Sequence, residues 1–238
     1  SPAAAHSPVV MWGSNMKEAG FVKTYRKPGG QFTGFTGGGG GDVLYIRFLK
    51  KSIPNFRRLA HMYNGSYAVA PADLRETAAL GRQMGFDVKV YNVTTPEQIE
   101  PTIAQMKKDG MQAIKMGPHE LFMTHGEQIG KVALKNGLPV VGQATVMKGG
   151  GVMTMGGKPD WVHMMPVVDK VLKGAKPADI PIQRNWPPLI IIDMNHARQL
   201  GMKVPDELLE DAYQIIDDRP PPPLKANNVI PVKQYPGK

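Results

Sequence analysis

The chain has 238 residues, of which 42% are hydrophobic and 21% are charged. This apolar content supports a sizeable core and excludes a wholly disordered chain. The absence of cysteine excludes disulfides, Cys-ligated zinc, iron–sulfur clusters and cysteine nucleophiles. No apolar run reaches the roughly 18 residues that a membrane-spanning helix needs, so we expect no transmembrane segment.

Basic residues outnumber acidic residues by 29 to 20, which gives a formal net charge of +9. A basic chain can bind nucleic acid, anionic membranes or acidic proteins. Here the basic residues are scattered, and no basic helix is interleaved with aromatic residues that could stack on bases. We therefore predict a basic surface and no nucleic-acid partner.

Short apolar runs alternate with amphipathic stretches along the chain. The predicted strands are 9–12, 31–35, 59–63, 88–93, 113–116, 139–141, 151–155 and 189–193. The predicted helices are 17–25, 42–51, 71–84, 96–108, 120–136, 161–173, 195–200 and 205–216. Gly85 is the predicted stop of the helix 71–84, and Thr95 is the predicted N-cap of the helix 96–108. Repeated β-α units with largely apolar strands predict an α/β fold, in which parallel sheets are covered by flanking helices.

Two glycine runs, 37–41 and 149–151, bracket a segment that has the strands and helices of a complete doubly wound lobe. The first run lacks the Lys-Ser/Thr of a phosphate-binding loop and the GxGxxG spacing of a dinucleotide site. We interpret both runs as flexible crossings between two lobes.

The histidines do not form a recognisable metal or catalytic motif. His119 and His125 are six residues apart, which places them on different faces of a helix, and no HExxH, GxSxG or paired-carboxylate motif is present. We therefore predict no metal site, no cofactor and no enzymatic activity. His119 does follow a predicted strand, at the end where open α/β sheets bind ligands.

The two ends of the chain differ from the rest in composition. Residues 1–8 are small and polar, without an initiator methionine or a hydrophobic signal core, and are typical of a processed start. Either a signal segment was removed or more than that is missing. Residues 219–238 include four consecutive prolines and predict an extended tail.

Three separate stretches resemble one family. They are 26–36 (RKPGGQFTGFT), 172–181 (LKGAKPADIP) and 192–201 (IDMNHARQLG), the last continuing into VPDELL at 204–209. Together they resemble the ABC-transporter substrate-binding proteins of the tryptophan/tyrosine-binding type, and their order and approximate spacing agree with that family from about residue 8 to residue 216.

The resemblance implies a type I periplasmic-binding-protein-like fold, in which two α/β lobes close on a small ligand by a hinge motion. Family members carry a further segment before residue 9, so we expect one complete lobe and one partial lobe with an open edge. Either the chain is a fragment, or another polypeptide covers that edge. The expected organisation is a partial first lobe at 1–36, a complete second lobe at 37–148, a return to the first lobe at 149–192, C-terminal helices at the lobe junction at 193–218, and the tail at 219–238.

The resemblance also implies where a ligand binds, because its contacts come from strand carboxyl ends that face the cleft. The residues in these positions are Trp12, Ser14 and Asn15 in the first lobe and Asn64, Ser66, His119, Glu120 and Gln143 in the second. Trp12 can stack on an aromatic ligand, and the amide and hydroxyl groups can hold the carboxylate and ammonium of an amino acid.

The function that the resemblance implies is a periplasmic solute-binding protein of a bacterial ABC-type uptake system, which captures an amino-acid-like ligand and works with a membrane permease. The chain departs from the family pattern at Asn15-Met16, at Gln31 and in the loop 64–67. The missing part of the first lobe, the glycine run 37–41, the proline-rich tail and the net charge of +9 favour a second hypothesis: a binding-protein lobe used as a non-catalytic accessory subunit of a larger, membrane-associated complex.

Overall fold

The computed structural model describes residues 7–13, 16–17, 19–36, 41–156, 161–184 and 189–219. Within these ranges the strands are β1 (Val9–Gly13), β2 (Phe32–Thr36), β3 (Arg58–Tyr63), β4 (Asp87–Asn92), β5 (Ala113–Met116), β6 (Val140–Gly142), β7 (Met153–Gly156), β8 (Gln183–Arg184), β9 (Leu189–Asp193) and β10 (Gln214–Ile216). The α-helices are α1 (Gly41–Ser52), α2 (Ala70–Met84), α3 (Ile99–Lys108), α4 (Glu120–Thr124), α5 (Gly126–Lys135), α6 (Trp161–Leu172), α7 (Met194–Gln199) and α8 (Asp206–Glu210).

A three-stranded parallel sheet in the order β1-β2-β8, together with α6, forms what we call the small unit. One face of this sheet packs against α6 through Phe35 and Met164. The other face is covered by the irregular segment between β1 and β2, which buries Met16 and Val22. The small unit therefore has a hydrophobic layer on each side of its sheet.

Residues 16–17 and 19–31, the described residues between β1 and β2, are not helical, so the prediction of a helix at 17–25 was wrong. Its described residues form turns, in which Gly20 has a φ of 82° and the Phe21 amide donates to the Met16 carbonyl at 2.9 Å. Met16 and Val22 reach the same core in this arrangement. On a regular helix, residues six apart point about 120° away from each other around the axis and would not face one core side by side.

A seven-stranded sheet in the order β10-β9-β7-β6-β5-β3-β4, with its covering helices, forms the large unit. All neighbouring pairs are parallel except β7 and β9, which are antiparallel. Helices α1, α2, α7 and α8 share one hydrophobic core with the sheet, and α3, α4 and α5 share the other. Helices on both faces explain why the central strands are apolar at successive positions.

The chain passes between the two units three times: from β2 to α1, from β7 to α6 and from β8 to β9. Residues 37–40, 157–160 and 185–188, which make these connections, lie outside the described ranges. The glycine run predicted as a first flexible crossing falls almost wholly in the first of these segments.

Two strands near the C-terminus differ from the sequence-based expectation. Residues 149–192 were expected to return to the first lobe, but β7 and β9 pair with each other in the large sheet, and only 161–184 belong to the small unit. The apolar side chains of Met153 and Ile192 join the core beneath α1, which accounts for this placement. Residues 214–216 were predicted as helix and instead form β10, which occupies the open edge beside β9.

Several helix ends were predicted correctly from capping signals. Gly85 ends α2 with a φ of 72°, and Thr95 caps the short 3-10 helix that leads into α3, in a reciprocal capping box with Gln98. The predicted helix at 120–136 is two helices, α4 and α5, which meet at His125.

The second glycine run is a packed structure, which corrects its interpretation as a flexible crossing. Gly149 and Gly150 are buried against α5, and a Cβ atom on Gly149 would lie 2.0 Å from the backbone oxygen of Glu127. Gly130 on α5 faces the same contact from the other side, since its Cβ would lie 2.8 Å from the carbonyl carbon of Gly149. These glycines allow two backbones to approach more closely than any side chain permits.

We predict that Gly149→Ala lowers the free energy of unfolding by about 1–3 kcal/mol, because the added methyl group overpacks a contact between two backbones. Gly30→Ala is the control, since no atom lies within 4 Å of the Cβ position there. Urea unfolding followed by circular dichroism measures both variants. Equal stability of Gly149→Ala and the wild type would show that the run is as tolerant as a flexible linker.

Candidate functional site

The topology of the large sheet has a switch point at the carboxyl ends of β3 and β5. From β3 the chain continues through α2 to β4 on one side, whereas from β5 it continues through α4 and α5 to β6 on the other side. β3 and β5 are neighbours, so the strand order reverses between them. Open α/β sheets bind ligands at such a switch point, outside the carboxyl ends of the strands.

Three loops meet at this edge of the sheet, and we call them the rim: residues 64–67 after β3, 117–120 after β5 and 143–145 after β6. Asn64, Ser66, His119, Glu120 and Gln143, all predicted as ligand contacts, lie on these loops. The Tyr67 and His119 rings pack edge to face with their centroids 5.5 Å apart, which joins the first loop to the second.

Asn64 shapes the first rim loop. It is 3% exposed, and its Oδ1 accepts hydrogen bonds from the Ser66 amide at 3.0 Å and from the Ser66 hydroxyl at 2.5 Å. The next amide, that of Gly65, donates to Asn92 Oδ1 at 2.9 Å. This Asx turn holds the loop and leaves Tyr67 partly exposed beside His119. Tyr67 was not among the predicted contacts, although an aromatic residue directly after an Asn-Gly-Ser turn at a strand end was a usable signal.

His119 shapes the second rim loop. Its Nδ1 accepts a hydrogen bond from the Leu121 amide at 3.0 Å and so caps α4. Because Nδ1 is the acceptor, Nε2 carries the proton of the neutral ring and is a hydrogen-bond donor. Phe122 packs against the same ring at 6.0 Å between centroids. Glu120 follows in the first turn of α4 and is exposed.

Gln143 begins the third rim loop, directly after β6. Its Oε1 is buried and has no hydrogen-bond partner among the described residues. A buried amide oxygen of this kind accepts a hydrogen bond from a suitable donor.

The remaining predicted contacts belong to the small unit. Trp12 lies near the end of β1 and is 49% exposed. Ser14 and Asn15 lie outside the described residues. The large unit therefore brings together five of the eight predicted residues at one edge of one sheet, and Trp12 belongs to the other sheet.

A buried ionic cluster, which was not predicted from the sequence, lies directly beneath the rim. Lys115 on β5 is 1% exposed, and its Nζ lies 2.7 Å from Asp42 Oδ2, 2.5 Å from Asp73 Oδ1 and 3.2 Å from Thr77 Oγ1. His61, which pairs with Lys115 across β3 and β5, has its Nε2 2.8 Å from Asp73 Oδ2. The available signal was a lysine inside the otherwise apolar strand Ala113–Met116.

The environment of the cluster changes the pKa values of two of its members. Burial, reinforced by the nearby Lys115 charge, lowers the pKa of His61 below 6.5, so the ring is neutral. Its Nε2–H donates to Asp73, and its Nδ1 has no partner among the described residues. Burial opposes ionisation of Asp73, but the hydrogen bond from His61 and the Lys115 charge outweigh it and lower the pKa of Asp73 to about 2.

Tyr45 on α1 makes a second buried polar contact near the rim. Its hydroxyl donates to the Gly142 carbonyl at 2.7 Å and accepts from the Met155 amide at 3.0 Å. Burial raises the pKa of Tyr45 to about 12, so the hydroxyl stays protonated. Tyr45 thus bridges the ends of β6 and β7.

Two further observations concern the described residues as a whole. Within them, no helix combines the length and the apolar character that crossing a membrane requires. Across the same residues, no three His, Asp or Glu side chains converge as ligands for one metal ion.

The family model described as "ABC transporter substrate binding protein" matches residues 2–216. A structure from Streptococcus pneumonia, described as an ABC domain in complex with L-Trp, is 24% identical with a TM-score of 0.80, over 90% of this chain and 74% of that one. A conserved domain protein from Vibrio cholerae is 18% identical with a TM-score of 0.79, over 90% and 73% of the two chains. A ligand-free, open substrate-binding protein with adhesive properties from Clostridium difficile is 22% identical with a TM-score of 0.64, over 88% and 71%. A comparison with curated proteins finds no match.

These structural similarities confirm the predicted fold, an α/β architecture of the periplasmic-binding-protein type with mainly parallel sheets and flanking helices. The match of the family model agrees with the resemblance found in the sequence motifs.

We predict that Lys115→Met lowers the free energy of unfolding by about 3–5 kcal/mol, because it leaves Asp42 and Asp73 buried without their cation. The matched control is Lys131→Met, which breaks an exposed i,i+4 pair with Glu127 and should leave stability unchanged within error. Chemical denaturation at neutral pH compares the two. Similar small losses in both variants would mean that the cluster contributes no more than a surface ion pair.

We predict that His61 makes the protein less stable as the pH falls below 6.5. The unfolded chain takes up a proton at this residue, whereas the folded state resists it because its pKa is lowered, so acid favours unfolding from pH 6.5 down to the folded pKa. Unfolding free energies of the wild type and His61→Gln, measured between about pH 7.5 and pH 5.5, test this. Gln retains a donor toward Asp73 and does not titrate, so parallel pH dependences would contradict the prediction.

Proposed function

The chain belongs to the ABC transporter substrate-binding protein family, and we propose that it captures a small amino-acid-like ligand at the rim of the large unit for a bacterial ABC-type uptake system. In this proposal the protein is periplasmic and non-catalytic, and it works with a membrane permease. The ligand lies between the two units, so that each contributes contacts.

The observation that carries this proposal is the convergence of the three rim loops at the switch point of the sheet. Tyr67 and His119 are held in contact there by turns whose backbone hydrogen bonds are satisfied. Loops held in this way present side chains in fixed positions, which lowers the entropic cost of binding.

The rim has the chemistry that a zwitterionic ligand requires. The His119 Nε2–H is a donor for a carboxylate, and the exposed carboxylate of Glu120 is an acceptor for an ammonium group. The buried Oε1 of Gln143 is a further acceptor, and the exposed part of Tyr67 offers an aromatic surface. Asn64 acts indirectly, because its Oδ1 already serves the turn that carries Ser66.

The small unit contributes Trp12 in this proposal, with Ser14 and Asn15 as further contacts. The exposed indole at the end of β1 gives the ligand a second aromatic surface. Because a fold neighbour was solved with L-Trp, the aromatic amino acids are the first probes for this chain.

We predict that Tyr67→Ala and His119→Ala each weaken ligand binding by about tenfold or more, which corresponds to ~1.4 kcal/mol. Tyr67→Ala removes an aromatic contact, and His119→Ala removes a donor together with the cap of α4. Isothermal titration calorimetry with L-tryptophan, followed by the other amino acids, measures the affinities.

The matched control is Tyr213→Ala. Tyr213 is 68% exposed and precedes β10, the outermost strand of the large sheet, with β9 and β7 between it and β6, so its removal should not change the affinity. If the wild-type protein binds no amino acid and is recovered only in a stable complex with another chain, the accessory-subunit hypothesis replaces the proposed function.

A further inference from the structure

We infer that the first turns of α1 position two of the three rim loops, with Asp42 and Tyr45 as the positioning residues. This inference rests on the proposed function of the rim. Neither residue lies on a rim loop, and each acts through a buried contact that can be followed to one.

The first series of contacts links Asp42 to the loop after β5 through Lys115 and Asp73. Asp42 lies in the first turn of α1, and its side chain is 13% exposed. Its Oδ2 lies 2.7 Å from Lys115 Nζ and accepts a hydrogen bond from the Thr77 hydroxyl at 2.9 Å. An acidic residue is also favourable in the first turn of a helix because of the helix dipole. Asp42 therefore fixes the start of α1 to the middle of β5.

Lys115 and Asp73 carry this contact to Gly117, the first residue of the second rim loop. Gly117 donates its amide to the Met62 carbonyl at 2.8 Å, and a Cβ on it would lie 3.0 Å from Asp73 Oδ2. The backbone of the loop thus rests directly on the cluster. Since a packed polar cluster has few alternative arrangements, loss of the Asp42 carboxylate shifts Lys115 and Asp73, and the loop above them follows.

The second contact runs from Tyr45 to the loop after β6. Tyr45 lies three residues after Asp42, so both side chains project from the same face of α1. Its hydroxyl bonds to the carbonyl of Gly142, the residue that immediately precedes Gln143, and to the amide of Met155. Removal of this hydroxyl frees the end of β6 and leaves a buried carbonyl and a buried amide without this partner.

The position of α1 in the chain makes these contacts relevant to both units, because α1 begins directly after the connection from the small unit. The same helix end that receives the chain from one unit fixes two ligand loops of the other. Coupling through discrete, packed contacts of this kind typically changes binding by about 2- to 30-fold when one contact is removed.

The test uses Asp42→Asn and Tyr45→Phe in the full chain, because each variant keeps the shape of the side chain and removes only the charge or the hydroxyl. The control for general destabilisation is Met106→Ala. Met106 is fully buried near the end of α3, on the opposite face of the sheet. All variants are measured well below their unfolding temperatures.

Two readouts separate positioning from simple loss of stability. The first is the Kd for L-tryptophan, or for the amino acid that binds the wild type best, and we expect a rise of about 3- to 30-fold in both variants and none in the control. The second is hydrogen–deuterium exchange without ligand. We expect faster exchange in 117–122 for Asp42→Asn and in 143–146 and 155 for Tyr45→Phe, and no selective change there in the control.

The outcomes distinguish this inference from the proposed function. If the wild type binds no amino acid, the proposed function fails, and the exchange experiment still decides whether α1 positions the loops. If the wild type binds but both variants keep its Kd and its exchange pattern, the inference is wrong. Exchange that rises equally throughout the large unit, as in the control, also overturns it.

Discussion

The buried ammonium group of Lys115 is the constraint around which the large unit is organised. A lysine in the middle of a central strand is removed from water on both faces of the sheet, and its charge is costly unless carboxylates and hydrogen-bond acceptors surround it. Asp73 comes from α2, Asp42 from α1 and Thr77 again from α2. The two helices must therefore sit over β3 and β5 in one particular register.

This constraint acts at the carboxyl ends of β3 and β5, just below the rim. On the same face, Leu59 and Ala113 lie near the amino ends of their strands and join the apolar core, whereas His61 and Lys115 follow toward the carboxyl ends and make the ionic cluster. The transition from apolar to polar contacts thus occurs just below the rim. A packed polar layer beneath the rim holds the loops in position when no ligand is bound, and this lowers the entropic cost of binding.

Close approach between backbones has a comparable role elsewhere in the large unit. Gly149 and Gly130 allow the segment after β6 to lie directly on α5, so the third rim loop is supported from below by a helix. Gly117 allows the second loop to rest on the ionic cluster in the same way. Both loops thus depend on positions where a side chain would separate two layers.

The sequence by itself determined the α/β class, most of the strands, the capped ends of α2 and α3, and the family, since these depend on local periodicity, capping residues and short motifs. It also placed Asn64, His119 and Gln143 at strand ends, because parallel strands bring their carboxyl ends to one edge. Only the tertiary structure decided that β7, β9 and β10 join the large sheet and that the second glycine run is packed. The ionic cluster could not be predicted from local sequence patterns either, since Asp42, Asp73 and Lys115 are 31 to 73 residues apart. Which strands pair and which buried charges meet depends on the free energy of the complete core, and this cannot be read from any single stretch of sequence.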